Sequence, residues 1–421
     1  MRRLLVAASA ALALVARAQD LSDDQLSRIR TRLSQGATKS WEIGTRAEAL
    51  LEADTPDFSV FSNNALPPSQ DAPEALDRVL SIAEDTVSDR ARSNSNATGA
   101  QPLMQDGSAG DPASIGVAVI LANWTGQDGQ DYAGAARDQL DYLLYHVPRT
   151  DDGAISHRVS EAQLWSDSVY MVPPFLAYYG VITQNRTLLE EAYNQCKLYR
   201  DHLHDKDAGN LWKHIVEGSY SDEGHWSTGN GWAAAGMLRV LATIQHSQYA
   251  DDLKHQQKDL EKWVLEIHAA MYDSHLYDNG LFANYADETV DGSDNFYDAS
   301  GTALLASTVY RLALLRNVWH YLPSAETSRV ALFATQSGNS SAYVHFDDDG
   351  WLTPVVNPMS FGEEGSKSAE GQAFVVMLHT AWREWVDNGS IGANGAVRTA
   401  GVAPALLVVA GCMGALAGVL S

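Results

Sequence analysis

The sequence of 421 residues has few cysteines, few basic residues and almost no alternation of polar and apolar residues of the kind that marks β-strands. Only 29 Lys and Arg residues stand against 53 Asp and Glu residues, which gives a net charge of −24. A net negative charge of this size repels phosphate backbones and anionic headgroups, so no nucleic-acid partner is expected. With 45% hydrophobic and 19% charged residues, the composition is that of a globular protein.

Several motifs that carry familiar chemistries are also absent. The sequence has no G-x-x-x-x-G-K-[ST], H-E-x-x-H, G-x-S-x-G or C-x-x-C motif, so ATP, metal and serine-hydrolase chemistry have no support. The acidic run 347–350 lacks the D-x-D-x-D-G order of a calcium loop and is expected to be a turn. The sequence therefore predicts neither a cofactor nor a metal, and it implies no protein partner.

The first 18 residues have the pattern of a secretory signal peptide. A basic start at 1–3 is followed by an apolar run at 4–15 and a small-x-small cleavage site at 16–18. The run is too short to span a bilayer. We therefore expect a secreted protein.

The last 20 residues, 402–421, form an uncharged apolar tail that is typical of a glycosylphosphatidylinositol (GPI) signal. Residues 388–401 read as a polar linker, and Asn388 is the predicted attachment site because an eleven-residue spacer follows its three small residues. Asn394 is the weaker candidate, with a spacer of five. The alternatives are a tail-anchor helix or a buried final helix. On the anchor interpretation the protein is extracellular and held at the cell surface by the lipid alone.

Cysteine and asparagine positions agree with a secreted chain. Of the two cysteines, Cys412 is lost with the tail, and Cys196 lies on an apolar helix face where a buried thiol is expected. Five N-x-[ST] sequons are predicted to lie at the surface: Asn96, Asn123, Asn185, Asn339 and Asn388. The first four are the predicted glycosylation sites, and the fifth is lost if the anchor forms on Asn388.

Helical spacing recurs along nearly the whole body of the chain. The clearest case is the apolar stripe between Leu260 and Met271, at i, i+3, i+4, i+7, i+8 and i+11. Comparable stripes predict about twelve helices, joined by short loops and by long polar ones at 206–227, 272–299 and 336–367. A closed barrel of paired helices fits this pattern, and the alternative is a superhelical array of helical repeats.

The long loops carry tryptophans and carboxylates, the residue types that stack on sugars and move protons. Asp167 and Asp111 each precede a predicted helix, where an ordinary helix cap is the simpler interpretation. A Gly-Asn-Gly turn at 229–231, with Trp232, and the loop residues His157, Arg158 and His214 are individually weak signals.

Taken in order, these segments resemble the unsaturated rhamnogalacturonyl hydrolases of glycoside hydrolase family 105 and the related unsaturated glucuronyl hydrolases. The resemblance spans roughly residues 103–385 and is carried by the following motifs: Asp111 to Gly116, Pro148 to Gly153, His157-Arg158, Trp165-Ser166-Asp167, Pro174 to Leu176, Gly229 to Trp232, and Ser300 to Thr302.

The resemblance implies an all-α, (α/α)6 six-hairpin barrel over residues 19–387 and a hydrolase of unsaturated uronyl fragments of pectin-like polysaccharide. It implies that Asp167 is the acid/base and Asp111 its assisting carboxylate. The implied substrate-binding residues are His157, Arg158, Trp165, His214, Thr228, Asn230 and Trp232.

One position departs from the family pattern. The family commonly has Arg before Gly-Asn-Gly-Trp, and here the residue is Thr228. Either Arg158 or Lys213 supplies the positive charge, or the enzyme takes a different sugar. Two rival hypotheses stay open. One is a two-carboxylate glycosidase of saturated glycans that uses Asp294 or Glu217, and the other is a non-catalytic surface protein that binds glycans.

Overall fold

The computed structural model describes residues 20–290 and 295–393, so the predicted signal peptide, Asp294, Asn394 and the apolar tail lie outside the described residues. Twelve α-helices account for most of the described chain. They are α1 (Asp23–Gly36), α2 (Ser40–Asp54), α3 (Asp77–Ser93), α4 (Gly116–Trp124), α5 (Tyr132–Tyr145), α6 (Ser168–Ile182), α7 (Arg186–Leu203), α8 (Ser227–His246), α9 (Lys254–Ser274), α10 (Ala299–Arg316), α11 (Leu322–Leu332) and α12 (Ala369–Asp387).

The even-numbered helices form a closed inner ring. Along the ring α2 packs on the turn that leads into α4, that turn packs on α6, and α8, α10 and α12 follow until α12 returns to α2. The odd-numbered helices pack outside them. Inner helices such as α8 are buried on all sides, whereas the outer α1 buries a single stripe of Gln25, Ile29 and Leu33. The closed ring confirms the predicted (α/α)6 barrel and excludes the open superhelical array.

Short strands and turns occupy the connections. The described residues form five two-stranded antiparallel sheets, which pair β1 (Gln163–Trp165) with β4 (Ile215–Glu217), β2 (His204–Asp205) with β3 (Leu211–Trp212), β5 (Phe282–Ala283) with β6 (Tyr297–Asp298), β7 (Thr335–Gln336) with β8 (Asn339–Tyr343), and β9 (Val355–Asn357) with β10 (Ser360–Gly365). Three 3-10 turns lie at Pro56–Phe58, Glu74–Leu76 and Asp111–Ile115.

A buried ion-pair network crosses the barrel interior. Arg239 on α8 donates to Glu48 at 2.6 Å and to Glu52, both on α2. Arg311 on α10 donates to Glu52 at 2.7 Å and to Glu384 on α12. Four of the six inner helices are therefore connected by charge-assisted hydrogen bonds.

A glycine sets the spacing between α8 and α6. A Cβ atom placed on Gly236 would lie 2.1 Å from the carbonyl oxygen of Val169 and 2.7 Å from the Cα of Tyr170. Because these are backbone atoms at the start of α6, no side-chain rotation can relieve the overlap. Gly236 thus allows two inner helices to approach closely beneath the Asp167 loop.

The surface features expected from the sequence can be placed on this body. Cys196 is fully buried, as predicted, and the five sequon asparagines are exposed, although their glycosylation stays a prediction. Asn388 follows α12 and donates from its side chain to the carbonyl of Glu384 at 2.9 Å. Within residues 20–290 and 295–393, no helix has the length and apolarity required to cross a bilayer.

Candidate active site

A cavity of about 240 Å³ opens at the end of the barrel where the inner helices begin. Its walls come from the starts of α2, α6, α8 and α12, from the 3-10 turn before α4, and from the β9–β10 hairpin. The lining residues are Lys39, Trp41, Asp106, Ser108, Asp111, His157, Arg158, Trp165, Asp167, Met171, Trp226, Trp232, Pro358, Met359, Phe361 and Glu370. Since helix N-termini carry partial positive charge, this end of the barrel favours an anionic ligand.

Asp167 occupies the position before α6 without acting as a helix cap. Its side chain makes no capping hydrogen bond, and its Oδ1 atom is buried and has no hydrogen-bond partner among the described residues. Burial of the carboxyl raises the pKa of Asp167, and the nearby His214 offsets only part of that effect. An ordinary capping role therefore does not explain this residue, whose carboxyl is free to meet a ligand.

Asp111 lies in the 3-10 turn on the adjacent wall. Burial raises the pKa of Asp111 well above its usual value, and the charges of Asp167 and Asp106 raise it further. The charge of Asp167 thus acts directly on the Asp111 carboxyl, and both side chains line the same cavity. The structure therefore brings together the two aspartates that the resemblance implies, although 56 positions separate them in the sequence.

Next to this pair lies a stacked group of His157, Trp165 and Arg158. The rings of His157 and Trp165 are 4.6 Å apart and inclined by 19°, and the Arg158 guanidinium lies 5.9 Å from the Trp165 ring. His157 Nδ1 is 3.8 Å from Asp111 Oδ1, beyond hydrogen-bond distance. Burial, assisted by the charge of Arg158, lowers the pKa of His157 to about 3, so its imidazole is neutral near pH 7.

His214 lies directly behind the cavity wall. Its ring is 4.5 Å from that of Trp226 and 4.4 Å from that of Phe361, and both of these residues line the cavity. Its Nδ1 is 2.8 Å from Asp222 Oδ2, which also accepts from the Tyr285 hydroxyl at 2.6 Å. Burial opposes ionisation of Asp222, but these hydrogen bonds outweigh it and lower the Asp222 pKa.

Because an ionised Asp222 can only accept a hydrogen bond, Nδ1 of His214 carries a proton. Its Nε2 is buried and has no partner among the described residues. The hydrogen bond to Asp222 thus holds the His214 ring, and with it Nε2, in a fixed orientation behind the cavity wall.

Three predicted substrate-binding residues are not part of the cavity lining: His214, which lies behind the wall, and Thr228 and Asn230. Thr228 is fully buried, and its hydroxyl donates to Asp298 at 2.7 Å. Asn230 is fully buried, and its side chain both accepts from and donates to the backbone of Trp212, at 2.9 and 3.0 Å. Both side chains make hydrogen bonds within the protein at the start of α8, and neither is part of the cavity lining. Trp232, two residues further on, does line the cavity.

Two further candidates also lie elsewhere. Lys213 is not part of the cavity lining and pairs with Glu223, so it does not supply the charge expected near the missing arginine. Glu217, one of the two suggested second carboxylates, is also outside the lining and faces His202 at 3.4 Å. Arg158 and the unanticipated Lys39 are the two cationic side chains in the cavity lining.

The structure adds cavity residues that the sequence pattern did not single out. Trp41 and Glu370 are 329 positions apart and are joined by a hydrogen bond of 2.8 Å. Pro358, Met359 and Phe361 come from the β9–β10 hairpin, which no alternation of polar and apolar residues predicted. The one available signal was position, because Lys39, Trp41 and Glu370 all lie at helix starts.

A second cavity, of about 400 Å³, lies at the opposite end of the barrel, where the inner helices finish. It is lined by residues such as Arg311, Trp319, Glu384 and Asn388 and contains neither Asp111 nor Asp167. In the described part of the chain, His, Cys, Asp and Glu side chains form no group of three or more arranged to hold a metal ion.

Residues 75–345, more than half of the chain, match the family model of Glycosyl Hydrolase Family 88. The chain therefore belongs to this family and is a glycoside hydrolase, which confirms the predicted class of enzyme. The resemblance to the family 105 and unsaturated glucuronyl hydrolases is confirmed as well.

A similar curated protein is the unsaturated rhamnogalacturonyl hydrolase YesR of Bacillus subtilis, 28% identical over 142 residues. That match covers 31% of this chain and 40% of the relative, less than half its length.

Solved structures share the fold at low sequence identity. A possible family 105 member from Klebsiella pneumoniae superposes with a TM-score of 0.65 at 17% identity, covering 87% of this chain and 94% of that one. The unsaturated glucuronyl hydrolase of Bacillus sp. GL1 superposes with a TM-score of 0.56 at 14% identity, covering 87% and 96%.

Proposed function

We propose that this glycoside hydrolase acts on unsaturated uronyl oligosaccharides of the kind that lyases release from pectin-like polysaccharides. The observation that carries the proposal is the presence of Asp111 and Asp167 in one cavity, with Asp167 Oδ1 left without a hydrogen-bond partner in the described part of the chain. The name of the Bacillus subtilis relative, an unsaturated rhamnogalacturonyl hydrolase, supports the same substrate class.

The reaction begins at the vinyl ether between C4 and C5 of the unsaturated sugar. Asp167, whose pKa is raised by burial, gives a proton to C4 and leaves a cation-like C5. The Asp167 carboxylate then takes a proton from water as the water oxygen bonds to C5. The resulting hemiketal opens the sugar ring, because C5 becomes a ketone and the ring oxygen stays on C1 as a hydroxyl. The hemiacetal left at C1 then becomes an aldehyde, which breaks the glycosidic bond and releases the second sugar as an alcohol. Asp111 assists by sharing the proton of the pair.

Recognition of the substrate's carboxylate falls to the cations of the cavity. Arg158 and Lys39 line it, and neither side chain has an ion-pair partner within 4.0 Å among the described residues. The helix starts that surround the cavity add partial positive charge. Together they replace the arginine that the family commonly has at position 228.

The test is Asp167→Asn, with the exposed outer-helix change Asp24→Asn as control. We expect Asp167→Asn to lower kcat about 100- to 10,000-fold, the usual contribution of general acid–base catalysis, with an unchanged far-ultraviolet circular dichroism spectrum. Turnover is followed as loss of the ultraviolet absorbance of the conjugated double bond. Turnover retained by a folded Asp167→Asn variant would refute the assignment, and activity on saturated substrates alone would select the two-carboxylate alternative.

We propose further that the enzyme is secreted, glycosylated and held at the cell surface by a lipid anchor. The sequence patterns at 1–18 and 402–421 and the exposed sequon asparagines support this location. Release of the protein from intact cells by a phosphatidylinositol-specific phospholipase would test it, and a protein that stays cell-bound after treatment would count against the anchor.

A further inference from the structure

Glu370 is a buried carboxyl in the catalytic cavity that the proposed reaction does not use. It lies in the first turn of α12, is 2% exposed, and lines the same cavity as Asp111 and Asp167. The helix start does not need it as a cap, because the Ser368 hydroxyl already accepts from the Gly371 amide at 3.0 Å. Its position therefore calls for another explanation.

The two carboxyl oxygens of Glu370 have different surroundings. Oε2 accepts a hydrogen bond from the Trp41 indole N–H at 2.8 Å. Oε1 is buried and has no hydrogen-bond partner, and no Lys, Arg or His of the described chain lies within ion-pair distance. A buried ionised carboxylate without a cation is costly, whereas a neutral acid is tolerated.

The neighbouring carboxylates also favour the neutral form of Glu370. Burial raises the pKa of Glu370 well above its usual value, and the carboxylates of Glu42, Asp167 and Asp298 raise it further. A protonated carboxyl has one O–H donor in addition to its acceptor capacity. Because the Trp41 N–H occupies the acceptor Oε2, the O–H on Oε1 is a donor that the protein leaves unused.

We propose that Glu370 is a substrate-binding residue whose carboxyl O–H donates a hydrogen bond to an oxygen of the bound uronyl sugar. This inference rests on the proposed function and adds a third carboxyl with a role of its own. A neutral donor suits this position because it can approach the substrate's carboxylate without adding a negative charge beside Asp167 and Asp111.

Binding to a catalytically inactive protein separates this role from the chemistry. The affinity of Asp167→Asn for an unsaturated uronyl disaccharide is measured by titration calorimetry, alone and combined with Glu370→Gln or Glu370→Ala. The amide of Gln keeps both a donor and an acceptor, so Kd is expected to change less than about threefold. Loss of the donor in the Ala variant is expected to raise Kd about 10- to 100-fold. Glu363→Ala, an exposed change on β10, is the control.

The pH dependence distinguishes substrate binding from a merely structural role. The affinity of Asp167→Asn is expected to fall as the pH rises through the raised pKa of Glu370, because an ionised carboxylate loses its donor and repels the substrate. Adding Glu370→Gln removes that part of the decline, and the difference between the two curves isolates Glu370 from Asp111. This comparison also decides the question if the Ala variant does not fold.

Two results would overturn the inference. Equal losses in the Gln and Ala variants would mean that an ionised carboxylate is required, and identical pH curves with and without Glu370→Gln would mean that its proton does not meet the substrate. Failure of the proposed function would look different, because the wild-type enzyme would then not turn over the unsaturated substrate, whatever residue stands at position 370.

Discussion

Arg239→Met should destabilise the barrel far more than removal of a surface cation. Arg239 is 3% exposed and donates to Glu48 and Glu52, which are 6% and 3% exposed. Glu52 retains Arg311 at 2.7 Å after the change, so Glu48 is the carboxylate left without its cation. Leaving one buried charge uncompensated costs about 3–5 kcal/mol. Because burial raises the pKa of Glu48, it can take up a proton, which places the expected loss near 3 kcal/mol at neutral pH.

The assay is urea unfolding followed by far-ultraviolet circular dichroism at pH 7. Arg186→Met, an exposed change on α7 that removes a pair with Glu190, is the matched control and should cost less than about 1 kcal/mol. The double variant Glu48→Gln with Arg239→Met removes the unpaired charge and should recover part of the loss. A loss below about 1 kcal/mol for Arg239→Met, or a double variant no more stable than the single one, would refute the reasoning.

Two further predictions concern recognition and packing. Lys39→Met and Arg158→Met should each raise KM for an unsaturated uronyl substrate about tenfold and weaken the salt dependence of KM. Lys213→Met, outside the cavity, should leave KM unchanged, and equal effects in all three variants would contradict the assignment of the two cations. Gly236→Ala should lower the free energy of unfolding by at least about 1–3 kcal/mol, because the added Cβ overlaps backbone atoms. The control Gly362→Ala, with open space around it, should cost less than about 0.5 kcal/mol, and similar melting temperatures for the two variants would refute the packing argument.

The helical periodicity of the sequence predicted the helices and favoured a closed barrel, whereas the (α/α)6 form was implied by the family resemblance. The stripe between Leu260 and Met271 falls on the outer helix α9, and the described chain has twelve helices, as many as the sequence predicted. Periodicity says less about the inner helices, because α8 and α10 are buried on all sides. Which helices are inside follows from the contacts of the closed ring.

The candidate site was only partly predictable. Motifs that are contiguous in sequence, such as Trp165-Ser166-Asp167, led to the cavity, whereas the pair Trp41 and Glu370 forms only when the barrel closes and brings α2 beside α12. Thr228 and Asn230 lie in a motif next to the cavity, but a helix start also needs groups that hold it in place. Proximity in sequence therefore did not distinguish ligand contacts from structural hydrogen bonds.

The direction of the inner helices fixes how the barrel could meet a surface. Asn388 follows α12 beside the cavity where the inner helices finish, and the carboxyl pair opens at the other end. A lipid anchor joined to the chain after α12 would hold the enzyme at the end of the barrel where the inner helices finish. The opening of the cavity with the carboxyl pair would then be directed away from the membrane. Oligosaccharides diffusing in the surrounding medium could then enter without passing between the protein and the bilayer, and the outer helices would need no contact with lipid.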